Sequence, residues 1–267
     1  MATHGQIQPA SGARAPSLTA FIDRWIYVFM AVLLTLTVLI GFVPDSLNKI
    51  AAVQAGMRPP FPMALHVHAV LMGSWMLLLL AQTTLMATGR RDWHMQLGVL
   101  GMVLAPALVL AGVVLVPTNI ATNIAFAANV PEAQDGLAEG LVFSVNIALV
   151  QLRVGICFLL FVVLALRARK LDSGLHKRLM ILATVTPLGA ATSRMAFLPN
   201  TLPESTETTL LWPILFAVPM FLWDLYRQRT IHRAYWIFAA VMLPSGILVQ
   251  WLWNSAWWQS VGARLLY

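Results

Sequence analysis

Six side chains able to bind metal, protons or anions stand inside or at the lip of long apolar runs: His66, His68, His94, His176, Arg153 and Arg194. Hydrocarbon offers such groups no partner, so each must find one in protein, water or a ligand. Neutral imidazole is a common ligand for metals and haem iron, and it shuttles protons near neutral pH. On a helix His66 and His68 point about 200° apart and cannot share one small ligand. His66 would share a face with Val70, Gly73 and Leu77, where the missing side chain of Gly73 admits a close neighbour. His68 would share its face with Met72, Trp75 and Gln82. His94 and His176 each open an apolar run beside a basic turn, and two histidines at equal depth on neighbouring helices suit a six-coordinate haem. Arg153 falls midway along its run, with no acid at comparable depth, where a guanidinium costs about 2.5–3.5 kcal/mol even on insertion scales. A haem propionate, a carboxylate or a quinone oxygen would satisfy it, and so would carbonyls freed by Pro106 or Pro187. Arg194 stands near the level of His66 and His68, where it either helps hold such a ligand or reaches outward as an anchor. Every one of the four histidines also has a structural reading, as a hydrogen bond across a bundle or a side chain among headgroups.

The elements that hold these residues follow from composition. Of 267 residues 59% are hydrophobic and 10% charged, far from a soluble globular balance. Seven runs approach the ~20 residues needed to cross ~30 Å of hydrocarbon: Asp23–Val43, Pro62–Ala87, His94–Val116, Gly140–Leu166, His176–Leu198, Thr209–Tyr226 and Ala234–Trp253. The sixth is short and holds Pro213 and Pro219, so a six-span alternative would demote it. The predicted fold is an all-α, polytopic integral membrane protein of seven transmembrane helices. Residues 1–20 form a disordered cytoplasmic tail, 21–253 the transmembrane domain, and 254–267 an outer-surface interfacial tail.

The net charge of +7 is sorted by loop instead of gathered in a nucleic-acid patch. One side collects Arg14, Arg24, Arg90, Arg91, Arg167, Arg169, Lys170, Lys177, Arg178, Arg227, Arg229 and Arg233; the other has only Lys49, Arg58 and Arg264. Cytoplasmic loops retain Lys and Arg, which places the amino terminus in the cytoplasm and the carboxyl terminus outside. Aromatic belts would agree, with Trp25, Tyr27, Trp223 and Tyr235 inside and Trp212, Trp251, Trp253 and Trp258 outside. Cys157 stands alone in an apolar run, so no intrachain disulfide forms.

A weak repeat at an offset of 82 residues aligns His94 with His176, Gly73 with Gly155 and Pro117 with Pro199. Spans two to five are therefore predicted to form a four-helix core of two tandem hairpins, with spans one, six and seven around it. The strings Leu65-His-Val-His-Ala-Val-Leu-Met-Gly-Ser-Trp75, Ala87-Thr-Gly-Arg-Arg-Asp-Trp-His-Met-Gln-Leu-Gly98 and His176-Lys-Arg-Leu-Met-Ile-Leu-Ala-Thr184 resemble an uncharacterised family of bacterial multi-pass inner-membrane proteins. That resemblance covers spans two to five. It implies a helical inner-membrane protein and brings no activity with it.

Several classes fall away. No Lys lies in the interior of a predicted span, Lys177 standing at the very mouth of the fifth, which argues against a retinal Schiff base, and no paired Asp-rich motif, Walker motif or Gly-x-Ser-x-Gly elbow occurs. Two readings remain: a haem b- or metal-binding electron-transfer subunit, served by quinone or other subunits of a membrane complex, or a non-enzymatic carrier or assembly subunit with structural histidines.

Overall fold

The structure, a computed structural model, describes residues 17–267. Among the described residues every regular element is helical. The α-helices are α1 Leu18–Gln54, α2 Met63–Ala87, α3 Arg91–Asn129, α4 Leu137–Ala168, α5 Ser173–Val185, α6 Gly189–Thr192, α7 Glu207–Gln228, α8 Arg233–Leu252 and α9 Ala256–Leu266. Six of them, α1 to α4, α7 and α8, are long and apolar enough to cross a membrane. The sequence predicts seven. The missing one is not the sixth run, which keeps 22 helical residues through Pro213 and Pro219. It is the fifth, broken where Pro187 lacks an amide donor and its ring crowds the preceding turn. There α5 gives way to a 3-10 turn, Thr186–Leu188, and then to the single turn of α6.

Other prolines do not end their helices. α1 runs through Pro44 to Gln54, and α3 runs through Pro106 and Pro117 to Asn129, well past the predicted ends at Val43 and Val116. The predicted tail lies outside the described residues as far as residue 16, and Leu18 to Ala20 already form the first turn of α1, with Ser17 Oγ accepting from the Ala20 amide.

α5 and α6 form the axis of the molecule. Leu179, Ile181, Leu182, Ala183 and Val185 are at most 1% exposed, and α1, α4, α7 and α8 stand around them. The segment runs antiparallel to α1. Lys177 Nζ lies 4.7 Å from the centre of the Tyr27 ring, the Gly41 and Ala191 backbones touch, and Arg194 Nε donates to Asp45 Oδ2 at 3.1 Å. The eighteen-residue separation of Tyr27 and Asp45 corresponds to about 27 Å of helix. The broken fifth segment thus travels from one end of the bundle to the other.

The helices α2 and α3 pair as a hairpin, as do α4 and α5, and α3 packs on α4. The buried core nevertheless also includes residues of α1, α7 and α8, so the centre is not confined to the predicted four. The repeat is uneven in packing: an added Cβ at Gly73 meets nothing within 4 Å, while one at Gly155 contacts Val109. The carboxyl-terminal segment forms a helix, α9, that is held to the bundle. Trp258 Nε1 of α9 donates to the Val145 carbonyl at 2.9 Å and Gln259 Nε2 to Asn146 Oδ1 at 2.8 Å, fastening it to α4.

Candidate functional site: the polar ends of the α2–α3 hairpin

The two histidines near the start of α2 part company. His66 is exposed, its ring edge-on to Phe61 with centroids 6.3 Å apart. Its face continues through Val70 and Leu77, 68% and 66% exposed. Gly73 on that face is open, so the close neighbour predicted there is absent among the described residues. His68 turns inward. Its ring comes within contact distance of the Gly112 position on α3, and its Nδ1 is buried without a hydrogen-bond partner. Trp75, on the same face, is fully packed and donates from Nε1 to Thr184 Oγ1 of α5 at 3.0 Å.

Fourteen residues beyond His68, about 21 Å along the helix axis, the same face of α2 presents Gln82. Both of its amide atoms are buried and unpartnered. His94, in the first turn of α3, lies beside the Gln82 main-chain carbonyl and within electrostatic reach of His176. Its Nδ1 is also buried without a partner. His176, in the first turn of α5, bonds through Nδ1 to the Ala165 carbonyl of α4 at 2.8 Å. A carbonyl only accepts, so Nδ1 carries the proton and Nε2 keeps its lone pair. That is the arrangement by which proteins orient a ligating imidazole. Six buried side-chain polar atoms lack a partner among the described residues, and four of them belong to this hairpin. Unsatisfied buried groups cost about 1–3 kcal/mol each and mark places where something else binds.

Among the described residues no three His, Cys, Asp or Glu side chains gather closely enough to hold a metal ion. His66, His68, His94 and His176 therefore do not form one metal centre; they divide into two ends of the bundle. Two imidazoles are, however, the number of axial ligands that a six-coordinate haem takes.

Arg153 is 6% exposed and reaches toward α8, and among the described residues it bonds to no carbonyl freed by Pro106 or Pro187. Its Nη2 donates to Met242 Sδ at 3.8 Å and its Nε has no partner. Cys157 lies in the core one turn further on, 3.7 Å from Ser245 Oγ. Arg194 is satisfied by protein: besides Asp45 it donates to the Ala190 carbonyl and stacks 4.5 Å from the Phe42 ring centre.

One constellation escapes a reading by loop charge. Arg178, counted above as a loop cation, is 6% exposed and forms a two-pronged ion pair with Asp224 of α7, at 2.7 and 2.5 Å. The Tyr235 hydroxyl and Gln228 amide donate to the same carboxylate, while Arg178 Nη1 donates to the Gly174 carbonyl. The visible signal is Asp224 itself, an acid within the apolar run of the sixth span. Beside this knot Asp172 caps α5 and pairs with Arg233, and His232 Nδ1 caps α8 by accepting from the Ala234 amide. Tyr235, Trp253 and Trp258 are core residues, 7–8% exposed, their rings packed against protein.

Comparison with protein-family models, with curated proteins and with solved structures returns no match for the chain.

Proposed function

We propose that the chain is a bacterial inner-membrane protein that crosses the bilayer seven times, with α5 and α6 together as the fifth crossing. The amino terminus then lies in the cytoplasm and the carboxyl terminus outside. The one-sided distribution of Lys and Arg supports this orientation, and the likeness of the three histidine-bearing strings to inner-membrane proteins agrees with it. The length of Ser173–Thr192, twenty residues or about 30 Å if wholly helical, supports the fifth crossing.

The protein's proposed role is to handle electrons, with haem b held by His94 and His176. One observation carries this reading. At the cation-rich end of α2, α3 and α5, a ring oriented by Ala165 offers a free Nε2 near a second imidazole and the unsatisfied amide of Gln82. Bound haem would supply a one-electron couple within the apolar bundle. His94 and His176 would fix the iron, and Gln82 would donate to a propionate. His68 is the candidate group at the opposite end, where quinone or a partner subunit would exchange electrons; Arg153 remains a candidate for an anionic group.

Absorbance of detergent-purified protein tests this. The Soret band of b-type haem is expected in the wild type and in His66→Ala, and its loss is expected in His94→Ala and His176→Ala. A colourless, metal-free preparation with full helicity overturns the proposal in favour of a non-enzymatic carrier or assembly subunit. Arg153→Leu should release any anion held there without loss of helicity.

A further inference from the structure

The end of the bundle opposite Arg178 is poor in cations, holding among the described residues only Lys49, Arg58, Arg194 and Arg264. Three of those four line one cavity of about 330 Å³ between α1, the α1–α2 loop, α3 and α4. That convergence is not what mere topology requires, since positive charge at this end could stand anywhere on the surface. Asp45 is the sole acid in the cavity's surroundings that the cations engage: its Oδ2 accepts from Lys49 Nζ at 2.6 Å and from Arg194 Nε at 3.1 Å. Arg58 has no carboxylate. Its guanidinium stacks 5.2 Å from the Phe61 ring centre and its Nε is buried without a partner. Three cations against one acid leave a residual charge of +2. Asn119, Asn123 and Ser144 add neutral donors to the wall, and no acid lines it.

Beyond Phe143 lies a second cavity, of about 400 Å³, lined by Glu139 and Glu204 and by no cation. The two cavities share that ring and carry opposite charge, so the basic side chains are segregated into one of them. Guanidinium forks and an ammonium are the donors that recognise phosphate oxygens, and a site with surplus charge +2 matches a phosphate better than a single carboxylate. Phe61, Leu65 and the neighbouring prolines give the same cavity an apolar flank, and its volume falls in the range of small-ligand sites.

We propose that this cavity binds a phosphate group, carried either by a small phosphate anion or by the headgroup of an anionic lipid. Arg58 is the residue whose unmet hydrogen-bonding capacity the phosphate would satisfy, with Lys49 and Arg194 drawing it in from the other side. The proposal stands apart from haem binding, because its readout is ligand-dependent melting and not absorbance.

The test uses the delipidated full chain in neutral detergent. Melting temperature is measured against inorganic phosphate with chloride at equal ionic strength as control, and in a second arm against phosphatidylglycerol with phosphatidylcholine as control. Wild type, Arg58→Gln and Lys49→Gln are compared; Arg58 engages no acid, so its replacement breaks no ion pair. A stabilising shift is expected in one arm, with the apparent affinity weakened about tenfold or more in Arg58→Gln. A shift with inorganic phosphate assigns the free anion, and a shift with phosphatidylglycerol alone assigns the lipid. No shift above control in either arm, or both variants binding within about twofold of wild type, overturns the proposal.

Discussion

Arg178 and Gln82 stand at the same end of the bundle with their polar atoms shut away from water, yet only one is satisfied. Arg178 meets two carboxylate oxygens and a carbonyl, and its acid receives a tyrosine and a glutamine as well. Gln82 and its neighbour His94 leave three buried atoms without partners. The first pattern is that of a structural lock: every member has a partner, so removing one leaves a buried charge exposed to apolar surroundings. The second fits the ligand place proposed above, since a bundle could fill the same space with leucine at no cost in hydrogen bonds. The difference separates polar groups that hold α5, α7 and α8 together from those available for chemistry on α2 and α3.

The largest effect should come from breaking the lock. Asp224→Ala is expected to cost about 3–5 kcal/mol, read as a fall in the detergent melting temperature, and Arg178→Met added to it should restore most of the loss. If the single substitution is neutral, the knot is not structural and the contrast fails. Gly41→Ala comes next. The added methyl would collide with the Ala191 backbone carbonyl, an overpacking of about 1–3 kcal/mol. Gly73→Ala, open on its face, should gain about 0.5–1 kcal/mol from helix propensity. Opposite signs at the two glycines would place the tight packing around α5 and not in the hairpin. Gln82→Leu sharpens the comparison further: stability should hold within about 1 kcal/mol or rise, while the Soret band weakens. A loss of several kcal/mol would make Gln82 part of a structural network instead.

The smallest effect concerns pH. Burial and the nearby Arg178 charge hold His232 below the usual imidazole range, within a surface shared with Asp172, Asp224 and Arg233. Its stabilisation is therefore fully present above the unfolded value of about 6.5 and is lost as pH falls through the lowered folded value, when Nδ1 gains a proton and can no longer accept from Ala234. Asp172 behaves alike at lower pH, its carboxyl held down by the Leu175 amide and by Arg233. A melting profile that declines below neutrality, and declines less in His232→Asn, is the expected outcome, because asparagine caps without titrating.

Apolar length alone makes the helical, multi-span character legible, and the opposite facing of His66 and His68 follows from helix periodicity. Helix ends are less legible. Pro44 and Pro117 read as stops, yet membrane helices continue through proline where neighbouring groups re-satisfy the backbone. Pro187 does break its helix, and nothing local to its sequence distinguishes it from the other two. Arg178 is misread for another reason: its partner lies 46 residues away, and a count by loop treats every cation as solvated. The His94–His176 juxtaposition can be anticipated from their shared place in the repeat, whereas the orphaned state of Gln82 depends on what α3 places against it.

The central position of α5 and α6 also constrains how the chain is made. Their neighbours come from both directions in sequence, α1 and α4 before them and α7 and α8 after. Until the ribosome has released α7, Arg178 lacks Asp224, and until α8 begins, Asp224 lacks Tyr235, so the broken middle segment must wait with an uncompensated guanidinium at its start. Assembly therefore cannot proceed strictly from first helix to last; it closes around its own middle, and a nascent chain cut short before Asp224 would leave that middle as a target for quality-control proteolysis.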